Sequence, residues 1–236
     1  MSSLKSKVRS VLREHLFTAN TIRYRVEWPR LRQAFEKVGH VGTLFDGGCG
    51  SGEFARRVLA EGLCDEVIGL EMDDNNFREL QGNLGRLPNV RMIQASLLEI
   101  PLPDASVDMV MCTQVIEHIK EHDKVAREFA RILKPGGYAL ITVPHPPEPF
   151  PNDDHVHKGY TAEDLRGLFE PLGMAPLGTD YFLTRDTTER MKRAWKLPGR
   201  GVFLPVAWVD RETRRTAAER ESCDPFGILM LFRKNA

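Results

Sequence analysis

The sequence predicts an α/β fold in which a parallel sheet carries helices on both faces. Three observations predict it. An apolar run ending at Leu44-Phe45 stops at Asp46, enters a glycine-dense turn from Gly47 to Gly52, and gives way to helix-forming residues from Glu53 to Ala60. A second apolar strand, Glu66-Val67-Ile68-Gly69-Leu70, ends on another acid, Glu71. Beyond it, apolar runs alternate with helical stretches as far as Val143. Strand, glycine turn and helix in that order mark a nucleotide-type site at the carboxyl edge of a parallel sheet.

A chain of 236 residues suits a single domain spanning 1–236 with a sizeable core. Thirty-three basic and 33 acidic residues cancel, so no general pull toward nucleic acid exists and no such partner is expected. Cys49, Cys64, Cys112 and Cys223 are scattered without a C-x-x-C pair. That argues against a disulfide scaffold or a cysteine zinc site and fits a reducing compartment. No apolar run approaches membrane-spanning length and no signal-peptide core is present, so a cytoplasmic location is expected.

Residues 1–40 read as a helical cap. Leu4, Val8, Val11 and Leu12 recur at helical spacing among Lys5, Lys7, Arg9 and Arg13. An amphipathic helix packed on the domain is the simpler reading; contact with a membrane surface or an anionic partner is the sharper one. A second helix is predicted over Val26 to Val38, with Pro29 in its first turn. Trp28 is expected in the core, and Tyr24 and Arg25 near a substrate.

The glycine spacing decides among ligands. Gly48, Gly50 and Gly52 follow Asp46 as D-x-G-x-G-x-G. No glycine stands three positions after Gly50, so the dinucleotide pattern fails, and the Gly-Lys-Ser/Thr of a phosphate loop is absent. Glu71 lies 19 positions after Gly52, close to the spacing at which an acid meets a ribose diol. Met72 follows it, polarisable and suited to the face of a base.

This turn resembles motif I of the class I S-adenosylmethionine-dependent methyltransferases. Two further segments carry the resemblance: the approach from Ile100 to Asp108 into the strand Met109–Cys112, and the run from Thr113-Gln114-Val115-Ile116-Glu117-His118 to Lys134-Pro135-Gly136-Gly137 and Val143. The second is similar to the methyltransferases of ubiquinone and menaquinone biosynthesis. The resemblance implies a Rossmann-like, seven-stranded, mostly parallel sheet with an antiparallel last strand. It implies S-adenosyl-L-methionine as cofactor, held by Asp46, Gly48, Cys49, Gly50, Gly52, Glu71, Met72, Ser96, Leu97, Thr113 and Gln114. A carboxylate at Asp46 complements the ammonium and cationic sulfur of that ligand. The family usually has Asp where this chain has Ser96, which brings a hydroxyl but no charge. Some quinone methyltransferases of this type carry a carboxylate-rich metal site here; Gln114 replaces one such Glu, so no metal is expected. His118 is read as satisfying a backbone carbonyl behind the site rather than facing the methyl group.

A proline-dense stretch, 144–151, and the polar segment after it read as a loop above the site, holding His145, His155 and His157. These are the candidate general bases, since imidazole titrates near neutral pH. Thr161 should cap a helix over Leu165–Phe169, and Met174–Leu183 should form the sixth strand. Residues 184–223 read as an insertion before the last strand, mixing Arg185, Arg190, Lys192, Arg193, Lys196 and Arg200 with Trp195, Phe203, Leu204 and Trp208. These are solvated helix faces or a surface for an anionic or lipid-linked acceptor. The expected function is methyl transfer to a small-molecule acceptor, on oxygen or nitrogen: a sugar, quinone precursor or secondary metabolite. A non-catalytic cofactor-binding member of the fold and a nicotinamide-dependent oxidoreductase stay open as rivals.

Overall fold

The computed structural model describes residues 16–17, 19–147, 154–195, 202–203 and 206–236. The expected helix around Leu4 to Leu12 lies outside the described residues. So do the side chains of Arg193, Trp195, Lys196, Arg200, Phe203, Leu204 and Trp208, and the loop at 148–153.

The elements run α1 (Ala19–Val38), β1 (Val41–Gly47), α2 (Glu53–Ala60), β2 (Cys64–Glu71), α3 (Asp74–Leu84), β3 (Val90–Gln94), β4 (Val107–Thr113), α4 (His122–Ile132) and β5 (Leu133–Pro144). They continue with α5 (Ala162–Phe169), β6 (Met174–Phe182), α6 (Arg185–Trp195), α7 (Val206–Arg214), α8 (Ala217–Glu221) and β7 (Gly227–Lys234). A separate short ribbon pairs Leu16–Phe17 with Val202–Phe203. The main sheet has seven strands in the order β3-β2-β1-β4-β5-β7-β6. The pairs from β3 through β5 are parallel, and β7 runs antiparallel to both neighbours. The strand order reverses between β1 and β4, and a crevice opens there at the carboxyl ends.

The strands are apolar on both faces because both are covered. Along β1, Leu44 packs with Phe54 and Val58 of α2, and Phe45 packs on the other face with Phe129 of α4. Along β4, Met109 and Met111 join the first cluster, and Val110 and Cys112 the second.

Two expectations are corrected. The first concerns α1, which starts well before Val26 and carries Pro29 in its interior. A mid-helix proline costs about 3 kcal/mol. Ile22 and Val26 before it, and Leu31 and Phe35 after it, are at most 1% exposed. At roughly 1.5–3 kcal/mol for each buried apolar side chain, packing outweighs the break. The second concerns Lys134-Pro135-Gly136-Gly137, whose residue types read as a helix stop and turn before a strand and which the fold makes an irregularity within β5. Pairing with β4 starts at Leu133, slips, and resumes at Tyr138. Lys134 Nζ anchors the bulge to Asp108 Oδ1 at 2.7 Å.

The cap at Thr161 forms as expected. Its hydroxyl accepts from the Asp164 N–H, while Asp164 reaches back to the Thr161 N–H. The insertion between β6 and β7 holds α6, α7 and α8. No helix among the described residues is long and apolar enough to cross a membrane.

Candidate functional site

The glycine bend is held by β2. Both the Gly48 and Cys49 N–H groups donate to the Leu70 carbonyl, at 2.8 and 3.0 Å. Next, the Gly50 N–H donates to Glu71 Oε2 at 2.8 Å. Gly52 then closes the bend onto the Cys49 carbonyl at 2.9 Å and starts α2 with φ +82°, without a side-chain cap. A Cβ on Gly52 would lie 2.6 Å from Leu84 Cδ1, and one on Gly48 2.6 Å from Val115 Cγ2. Those two positions are bare because the protein itself needs the room. Gly50 differs: it has φ +55°, and a Cβ there would meet nothing within 4 Å. Its empty side is the cavity.

Glu71 is 8% exposed, and its Oε1 also accepts from the Met72 and Asp73 N–H groups, both at 2.9 Å. Three of about four acceptor positions on the carboxylate are therefore filled by backbone. One is left on Oε2, so the structure leaves room for a single additional donor rather than two. The helix-capping role belongs to Asp73, whose Oδ1 accepts from Asn75 and Asn76. Asp46 is 2% exposed beneath the bend. Burial, and then the neighbouring Glu71 carboxylate, push its pKa up to about 7. Burial likewise pushes the Cys49 thiol well up.

A cavity of about 680 Å³ opens over this bend. It is lined by the carboxyl ends of four strands: Gly48–Ser51 after β1, Leu70–Met72 at β2, Ala95–Leu98 after β3, and Thr113–Val115 at β4. Of the residues expected at a cofactor, Gly48, Cys49, Gly50, Glu71, Met72, Ser96, Leu97, Thr113 and Gln114 all line it. Asp46 and Gly52 do not: Asp46 is buried, and Gly52 packs against Leu80 and Leu84. Met72 stands at the wall 68% exposed. The Ser96 hydroxyl accepts from the Leu98 N–H at 3.2 Å, so part of its capacity is spent on its own turn.

Gln114 is the strained residue of the site. Its φ of +56° is left-handed, and its buried Nε2 has no hydrogen-bond partner. A non-glycine residue held in that region with an orphaned amide is the kind of position a ligand completes.

The expected loop histidines are placed differently. None of His145, His155 and His157 lines the cavity. His145 packs its ring 5.4 Å from that of Tyr181. His157 stacks on His122 at 3.9 Å, beside a separate shallow groove. His155 is buried against His118, ring to ring at 4.6 Å. His118 itself lines the cavity, and its Nδ1 also lies 3.0 Å from the Asp154 carbonyl. Its ring thus meets a backbone carbonyl on one side and the cavity on the other.

Arg23 and Tyr24 of α1 complete the wall, and Arg25 and Trp28 do not. Trp28 is core, its Nε1 donating to Glu61 at 3.0 Å. The sequence reading missed Arg23, because it began the helix at Val26. The Arg-x-x-x-Glu spacing from Arg23 to Glu27 was the available signal. In the fold, Arg23 Nε donates to the fully buried Glu27 at 2.9 Å, and Thr142 Oγ1 donates to the other oxygen at 2.6 Å.

Comparison with known proteins bears on the cofactor. Residues 45–141 match the methyltransferase domain family. Across that span the chain is similar to class I S-adenosylmethionine-dependent methyltransferases. The cofactor of these methyltransferases is S-adenosylmethionine. A protein of Mycolicibacterium smegmatis named "Probable S-adenosylmethionine-dependent methyltransferase" is 32% identical over 153 residues, covering 57% of this chain and 58% of that one. A ubiquinone/menaquinone biosynthesis C-methyltransferase of Idiomarina loihiensis is 35% identical over 100 residues, 40% of this chain and 39% of the relative. The chain thus spans between about two fifths and three fifths of these relatives' lengths. Among solved structures, an S-adenosylmethionine-dependent methyltransferase from Mesorhizobium loti superposes with a TM-score of 0.64 at 19% identity, covering 88% of this chain and 97% of the other. That likeness establishes the fold of the methyltransferase domain. The residues present fit the cofactor: the Gly50 face is open, and Gln114 offers an unpaired amide beside it.

Proposed function

We propose that this protein transfers the methyl group of S-adenosylmethionine to a small-molecule acceptor, at oxygen or nitrogen. The observation that carries the reading is the Gly50–Glu71 tie, with an open cavity directly above it. Its volume of about 680 Å³ falls in the range of small-molecule sites.

When bound, the cofactor supplies an electrophilic methyl on a cationic sulfur. The chain's own residues supply the seat. Gly50 lets the ligand lie on bare backbone, and Glu71 Oε2 keeps one acceptor position for a sugar hydroxyl. Met72 offers a polarisable surface to the base. Asp46, ionised beside a cationic ligand, balances charge from below. Positioning of acceptor against methyl supplies most of the acceleration, on the order of 7–11 kcal/mol in well-oriented systems. Arg23, Tyr24 and His118 give the same cavity a wall of mixed character for the acceptor. His118 is the one histidine among the described residues on that wall, so the role expected of the loop histidines passes to its side of the cavity.

The test is turnover. Methyl-labelled S-adenosylmethionine is offered with panels of hydroxyl, amine and carbon acceptors. Label transferred to a hydroxyl or amine is the expected result. Tight cofactor binding without transfer to any acceptor class would point to a non-catalytic member of the fold.

A further inference from the structure

Across from the glycine bend, one wall of the cavity is formed by His118, Ile119 and Lys120. They lie between the 3-10 turn Ile116–His118 and α4, whose first residue is His122. The rings of His122 and His157 stack 3.9 Å apart and within 8° of parallel. We propose that this stack is a pH latch on the cavity wall: it holds the loop at 154–160 against the wall while both rings are neutral, and releases it when both are protonated. The consequence for methyl transfer rests on the reading above; the latch itself does not.

The two rings tie the loop, the turn and α4 together. His157 Nε2 lies 3.2 Å from the Ile119 carbonyl and 3.4 Å from that of Lys120. Carbonyls only accept, so Nε2 carries the proton and Nδ1 the lone pair. The His157 N–H donates to the Glu117 carbonyl at 3.0 Å. His122 Nδ1 lies 2.7 Å from the Tyr160 hydroxyl, whose own proton goes to the Ile116 carbonyl at 3.4 Å. His122 Nδ1 is therefore the donor in that pair, and its Nε2 carries the lone pair. Each ring thus keeps one nitrogen able to take a further proton. Both rings are half-buried and border the separate groove of about 530 Å³, through which water reaches them.

Two imidazolium rings face to face repel, and the surroundings offset little of it. Among the described residues, Asp123 of α4 pairs with Arg127 at 2.8 Å, and Asp164 of α5 is bound into the Thr161 cap. Lys158 of the loop adds positive charge beside the groove, and Lys120 and Glu121 before α4 are exposed to water. Glu117 is fully buried in the turn, where its charge acts on the Tyr160 hydroxyl. His118 and His155 join the turn to the loop ring to ring at 4.6 Å and are further protonation sites there. Burial holds the His122 imidazole below its ordinary range, and the His157 ring lowers it further against a weaker upward pull from Asp123. The unfolded chain therefore binds that proton more readily than the fold. The stability this contributes is complete above about pH 6.5 and is lost as pH falls below it.

Amide hydrogen exchange of the full chain, read by NMR from about pH 8 to about pH 5, tests the latch. The His157 and Tyr160 N–H groups, which donate to the Glu117 and Pro144 carbonyls, report the loop. Their protection factors should fall at least about tenfold on acidification while those of β4 hold. His122→Phe keeps a stacking ring that takes no proton, so its loop protection should not change with pH. His157→Gln keeps a donor for the Ile119 and Lys120 carbonyls and serves if the first variant does not fold. S-adenosylhomocysteine is titrated calorimetrically into the same samples. The native chain should lose at least about threefold more affinity on acidification than His122→Phe, since every other pH-sensitive group is common to both. Loop protection unchanged by pH in the native chain, or falling equally in folded His122→Phe, overturns the proposal. Equal loss of nucleoside affinity in the two proteins overturns the latch's hold on the cavity. Loop release without nucleoside binding at any pH upholds the latch and instead sinks the methyl-transfer reading.

Discussion

Glu71 Oε2 accepts the backbone N–H of Gly50 at 2.8 Å, joining two strand ends 21 residues apart in sequence. The carboxylate thereby fixes the bend on which the cavity rests, and Met72 and Asp73 fix the carboxylate in turn. Binding surface and fold share one side chain.

Removing that side chain should cost both. In Glu71→Ala three N–H donors lose their acceptor. Unfolding by urea should show a loss of about 1–3 kcal/mol. Affinity for S-adenosylhomocysteine should fall at least about tenfold, since the bend and the last acceptor position go together.

Gly50→Val separates the two effects. A Cβ at Gly50 meets no protein atom within 4 Å, so the fold bears only the positive φ, about 1–2 kcal/mol. The ligand face is filled. A folded protein with nucleoside binding abolished is the expected result, read by thermal melts and calorimetry.

The pH dependence follows from Asp46. Its pKa is raised, to about 7 in the ligand-free fold, from the ordinary carboxylate value near 4. The folded state thus holds the proton more tightly than the unfolded chain. The stability this contributes is present in full below pH 4 and is lost as pH rises through about 7. Asp46→Asn should flatten that slope in urea titrations between pH 5 and 8. A cationic ligand favours the ionised form, so affinity should rise with pH through the same window, with proton release visible in buffers of different ionisation enthalpy.

Glu27→Ala tests how α1 is held. Glu27 is fully buried, bridging Arg23 and Thr142 Oγ1. Breaking a buried pair should destabilise by about 3–5 kcal/mol. It also frees Arg23 from the cavity wall, so the Michaelis constant for the acceptor should change in any sample that still folds. Glu27→Gln should restore much of the stability but not the charge on Arg23's partner.

Much of this site was legible in the sequence because its signals are local. A glycine pattern reports backbone that must be bare, and an acid at the end of an apolar strand reports a carboxylate at the sheet edge. Gly50 and Glu71 consequently line the cavity, and so does Gln114, which was expected from the family resemblance alone. What failed was non-local. The loop histidines were chosen for their chemistry, but imidazole rings also pack well. His145 and His157 spend theirs on Tyr181 and His122. The start of α1 was misplaced because Pro29 is a strong local stop signal, while the burial of Ile22 and Val26 that overrides it comes from the far side of the chain. The gathering of Glu117 and His118 with His155 depends on how a loop folds back over β4, which no spacing rule encodes.

The most direct measurement is calorimetric titration of S-adenosylhomocysteine into the purified chain and into Gly50→Val. One-to-one binding to the first, and none to the second with its fold intact, is the predicted result. A folded native chain that takes up no nucleoside, or a Gly50→Val protein that binds it equally well, would contradict the seat built on Gly50 and Glu71.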